Sequence, residues 1–149
     1  MNNHPYLRAY MAGIAVPTPL LLVALTIFGI ARFVYNVPAP VERVIVFPMA
    51  IIPNLFGVWN MLHLASRSRT HLPVGIHGAI LPFILAPAGF LLGRCLGFLK
   101  VTAHGFIYFG VVDVRYVHVA LLFLFVLIIY YLVWKYLIGF FNQVAGIAE

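Results

Sequence analysis

Val117-His118-Val119-Ala120-Leu121-Leu122-Phe123-Leu124-Phe125-Val126-Leu127-Ile128-Ile129-Tyr130-Tyr131-Leu132-Val133 is the stretch that decides the fold class. It contains no proline, no glycine and almost no polar group. A bilayer core ~30 Å thick is crossed by about 20 apolar residues in a helix. Leu, Phe, Ile and Val dominate every face of this run, so no polar stripe is left for water, and the helix should face lipid or another subunit. Tyr130, Tyr131, Trp134, Lys135 and Tyr136 close it with the aromatic and basic belt of a membrane interface.

Working outward, three more apolar runs of similar length precede it. The four spans are expected at about 10–34, 44–65, 76–97 and 117–137. Hydrophobic residues make up 64% of the chain, and a soluble protein of 149 residues could not bury four such runs. The expected fold is an all-α integral membrane protein with four transmembrane helices in an antiparallel bundle, forming a single domain over 1–149. Three of the helices carry prolines (Pro17 and Pro19, Pro48 and Pro53, Pro82 and Pro87) and are expected to kink. Pro38 and Pro40 stiffen the first connection, and Ser66–Pro73 is expected as a short hairpin loop. The longest connection, 98–116, reads either as a short hairpin, in which Lys100–Thr102 and Val111–Tyr116 flank Gly105–Gly110, or as interfacial helix.

The chain has three carboxylates, Glu42, Asp113 and Glu149, and none falls in a span. Proton or sodium coupling of the usual kind is therefore not expected. The net charge of +6 sits at span ends and in short loops, where it meets lipid headgroups rather than nucleic acid. One cysteine, Cys95, permits no internal disulfide. Residues 1–10 are polar with one basic side chain, Arg8, and do not read as a cleaved signal.

Arg8, Arg67, Arg69 and Lys135 lie on the side of the termini; Arg32, Arg43, Arg94, Lys100 and Arg115 lie opposite. Packing of Arg67 and Arg69 into one short loop tips this near-balance toward cytoplasmic termini in a bacterial inner membrane, with dual topology as the alternative.

The polar part of the interior is the second run, Pro53-Asn54-Leu55-Phe56-Gly57-Val58-Trp59-Asn60-Met61-Leu62-His63. At 100° per residue, Gly57, Asn60 and His63 share an arc of ~120° that should face the bundle. Asn54, Asn60 and His63, with Trp59 as a stacking surface, are the candidate ligand site. The same amide and imidazole groups would equally serve as interhelical hydrogen bonds. His63 and His77 form a candidate haem or metal pair, with His71, Arg67 and Arg69 nearby. His104, His118 and Asp113 gather on the other side without a nucleophile. Ala86, Gly89, Gly93 and Gly97 form a small-residue face on which another helix could pack closely.

The function expected from these features is that of a non-enzymatic four-span membrane subunit, homo-oligomeric or accessory to a larger membrane complex. The alternatives are binding or conduction of a small or lipophilic ligand, and haem or metal binding through the paired histidines.

Overall fold

A computed structural model of the chain describes residues 4–36, 46–110 and 112–147. Glu42, Arg43, the Val37–Pro40 part of the first connection, the start of the second run at Val44, Val111 and Glu149 lie outside the described residues. The chain is mostly helical, with helices α1 (Pro5–Ala15), α2 (Pro17–Phe33), α3 (Phe47–Thr70), α4 (Val74–Cys95), α5 (Tyr116–Leu132) and α6 (Gly139–Val144). Among the described residues, three stretches are long and apolar enough to cross a membrane: Pro5–Phe33, Val74–Cys95 and Tyr116–Val144. The remaining long helix, α3, is not one of them. It carries Asn54, Asn60, His63 and, in its last turns, Ser66, Arg67, Ser68 and Arg69.

The first run begins at Pro5 rather than Tyr10 and is divided at Val16, just before Pro17 and Pro19. Proline at the first helical position lacks only an N–H that would be unpaired there anyway, which suits both helix starts. The hydroxyls of Thr18 and Thr26 donate to the carbonyls of Ile14 (2.7 Å) and Leu22 (2.9 Å), so neither is left bare on an apolar helix.

The loop expected at Ser66–Pro73 is mostly helix. Ser66 and Thr70 turn their hydroxyls back onto the carbonyls of His63 (3.3 Å) and Ser66 (3.1 Å), and Arg67 and Arg69 complement the negative helix end. The helix stops at His71, which adopts a left-handed conformation (φ 48°) and donates its N–H to the Arg67 carbonyl.

The all-α expectation needs one correction. Residues 99–115 form a three-stranded antiparallel sheet in the order β1 (Leu99–Val101), β2 (Gly105–Tyr108), β3 (Val112–Arg115). The segment expected as the turn of a hairpin is itself the central strand. Gly105 permits this, because a Cβ there would collide with the Val114 carbonyl of the neighbouring strand. Lys100 pairs with Ile107, Phe106 with Val114 and Gly105 with Arg115. Phe109 leaves β2 with φ 54° and stacks on Phe98, with ring centroids 5.1 Å apart.

The last run is longer than expected. After α5 the helix passes through a π-helical segment, Val133–Ile138, into α6. Trp134, Ile138 and Asn142, spaced by four, are all buried, whereas α5 has no buried residue. Gly146 (φ 63°) ends α6, with the Ile147 N–H donating to the Asn142 carbonyl.

The chain divides into two compact units, residues 1–74 with 136–149, and residues 75–135. In the first, α1 packs along α3, and α6 packs against α1. Its core is Ala9, Ala12, Val16, Phe56 and Ile138. In the second, α4 makes room for Trp134 at Gly78, where any Cβ would overlap the indole. Leu81, Leu99 and Trp134 are its main buried apolar side chains.

Candidate functional site

The polar residues of α3 meet α1 and α6 in the first unit. Gly13 sets the distance. A Cβ there would lie 2.6 Å from the Phe56 carbonyl oxygen and 2.7 Å from the Gly57 Cα, so the two backbones touch only because both positions are glycine. A Cβ at Gly57 would in turn reach the Tyr10 ring. One turn from this crossing, Asn60 is fully buried. Its amide nitrogen donates to the Ala9 carbonyl and to Asn142 Oδ1, both at 2.7 Å. Its carbonyl accepts from Asn142 Nδ2 at 3.1 Å. Both donors of the Asn60 amide and its acceptor are thus engaged by protein groups.

Beside this amide pair lies a cavity of about 10 Å³, lined by Ala9, Asn60, His63, Arg67, Asn142 and their neighbours. That is the space of a single water. His63 is buried at its edge. Arg8 reaches over Gly146, so a cation covers the carbonyl end of α6.

Asn54 is exposed. It accepts a hydrogen bond from the Tyr10 hydroxyl and donates to the Ala50 carbonyl at 2.8 Å. Trp59 is half-buried. His77 belongs to the second unit, where it is buried with its ring edge-on to Trp134 at 6.2 Å. Among the described residues there is no group of three or more His, Cys, Asp or Glu side chains placed to hold a metal. His104, Asp113 and His118 are all exposed.

The second unit holds a hollow of about 680 Å³. It lies between α4, the sheet and the first turns of α5. Phe83, Phe90, Phe98, Phe106 and Phe123 supply much of its wall. Phe83 and Phe123 meet edge-to-face at 5.2 Å, Phe90 and Phe106 at 5.8 Å, and Phe106 and Tyr116 at 5.1 Å. The Tyr116 hydroxyl donates to the Thr102 carbonyl at 2.7 Å and pins the start of α5 to the β1–β2 turn.

No family model, curated protein or solved structure matches this chain. Its chemistry therefore has to be read from its own side chains.

The small-residue face is distributed unevenly. Ala86 and Gly89 are exposed along the hollow, and a Cβ at Gly89 would meet nothing within 4 Å. Gly93 is buried against Phe98 and Leu99. Gly97 lies past the end of α4, at φ 73°.

Two partners went unread in the sequence. Gly13 was legible as Ala9-x-x-x-Gly13, the same small-residue spacing noted on α4. Asn142 lies beyond the last expected span and carried no comparable signal.

Proposed function

We propose that the chain is a non-enzymatic membrane subunit, joined to copies of itself or to other membrane proteins. In this reading α3 completes a four-span antiparallel bundle with proline kinks, held in a bacterial inner membrane with both termini cytoplasmic. The observation that carries it is α5: Leu121, Leu122, Leu124, Phe125 and Ile128 are each 57–59% exposed, and no residue of the helix is buried. A helix with no fully buried residue has much of its apolar surface available to lipid and to neighbouring helices. The polar groups of α3 support the same reading, because Asn60 and Asn142 spend their amides on each other rather than on an open site. The pairing of Ala9 with Asn60 and of Gly13 with Phe56 runs in opposite order along α1 and α3 and supports antiparallel neighbours.

The test is the oligomeric state of the full chain in mild detergent, by light scattering. It is combined with disulfide trapping of Leu124→Cys and Ile128→Cys in a Cys95→Ser background. A defined oligomer or a stoichiometric co-purifying membrane protein, with cross-links through α5, is expected. A strict monomer with no partner and no cross-link sinks the proposal.

A further inference from the structure

The hollow of the second unit is built like a binding groove for a lipid, and the polar site of the first unit is not. It runs along α4 from Phe83 to Phe90, and Arg94 follows one turn later. From Phe83 to Arg94 the helix rises roughly 16 Å, about half of a ~30 Å hydrocarbon core. The groove thus has the depth of one leaflet. Its walls are aromatic and aliphatic carbon, and Gly89 leaves one side without a side chain. A second hollow of about 260 Å³ adjoins it, sharing Ala86, Val119 and Phe123, and extends the apolar track to Tyr130.

The opposite end is cationic. The Arg94 guanidinium sits 6.0 Å from the centroid of the Phe90 ring, itself part of the wall. Lys100 and Arg115 pair with Ile107 and Gly105, on the face of the sheet opposite Phe106 and Tyr108, which line the groove, so Arg94 is the cation at its end. Arg94 is exposed, and the one described carboxylate of this unit, Asp113, pairs with Ile107 and so shares the far face of the sheet with Lys100. The sheet also sets the depth. Its open edges carry backbone groups that hydrocarbon cannot satisfy, so it belongs in the headgroup layer, and Arg94 with it.

We infer that this groove holds an acyl chain of an anionic phospholipid, with the phosphate against Arg94. The occupant is chosen by complementarity at both ends: carbon for the chain and the Arg94 guanidinium for the phosphate. The inference rests on α4 and α5 lying in a membrane, not on subunit assembly, so a monomeric protein would still be expected to bind the lipid.

The full chain is reconstituted in phosphatidylcholine vesicles containing a trace of chain-labelled, spin-labelled phosphatidylglycerol or phosphatidylcholine. The motionally restricted fraction is then measured. Phosphatidylglycerol should be preferred by at least roughly fivefold, the effect of one cation near an anionic headgroup. Arg94→Gln should lower that preference by roughly fivefold and leave the phosphatidylcholine fraction unchanged. Gly89→Trp should lower the restricted fraction of both lipids. Gly29→Trp is the control, on α2, where a Cβ likewise meets nothing within 4 Å, and it should change neither. Equal binding of the two headgroups by the unmodified protein overturns the inference. So does a Gly89→Trp result indistinguishable from Gly29→Trp. If Gly89→Trp dissociates an oligomer and leaves the lipid signal intact, the groove holds a helix of a second copy and the lipid inference fails.

Discussion

In one unit, α1 and α3 meet backbone to backbone at Gly13 and Gly57, beside a reciprocal amide pair. In the other, α4 and α5 are separated by hollows of about 680 and 260 Å³, bridged by aromatic rings. Close backbone approach brings short polar side chains within reach of one another and of main-chain carbonyls, and an amide buried in such a place must be fully paired. Where helices stand apart, rings span the gap without any polar partner, and the space they leave is apolar. Polarity and close packing thus go together in the first unit, and aromatic bridging and open volume in the second.

The sharpest way to break this contrast is Gly13→Leu. The new side chain would have to enter the α3 backbone at Phe56 and Gly57. Overpacking of this kind costs about 3 kcal/mol or more when only backbone can yield. The helical signal should be lost at a markedly lower denaturant concentration in an SDS titration followed by circular dichroism. Retention of normal stability would mean that α1 and α3 do not cross here.

Next in size is the amide pair. Asn60→Leu and Asn142→Leu each leave a buried amide with a missing partner, at about 1–3 kcal/mol apiece. The double variant should cost less than the sum of the two, with a coupling of roughly 0.6–1.7 kcal/mol. Additive losses would show that the two amides do not act on each other.

The smallest effects come from α4, where two glycines separate the two kinds of environment on one helix. Gly89→Ala should be neutral or stabilising by up to about 1 kcal/mol, because alanine is the better helix former and the new methyl meets open space. Gly78→Ala should be destabilising, because its methyl overlaps Trp134. Equal behaviour of the two variants in the same titration would show that the groove is no more open than the Trp134 contact.

Much of this was legible in local sequence. Four long helical stretches follow from the length and composition of the apolar runs, and the inward face of Gly57, Asn60 and His63 follows from helical spacing. The sheet was only half legible. Alternating β-branched residues marked its outer strands, but Gly105–Tyr108 looked like a turn because it is flanked by glycines. The extent of α3 was missed because Ser, Thr and His read as loop formers. Their hydroxyls instead bond the preceding helical turn, and His71 serves as the cap.

The sequence by itself determined that the chain has helices long and apolar enough to cross a membrane, because the length and composition of the runs are written in it. It also determined that no carboxylate occurs within an apolar run, which leaves amide and imidazole as the main polar groups of the second run. Only the tertiary structure decided what those groups do. Asn60 and Asn142 are 82 residues apart, and a hydrogen bond over that distance leaves no periodic trace in either segment. The groove is a matter of tertiary structure for the same reason. Empty volume belongs to no residue, and it exists only because α4, the sheet and α5 stop short of one another.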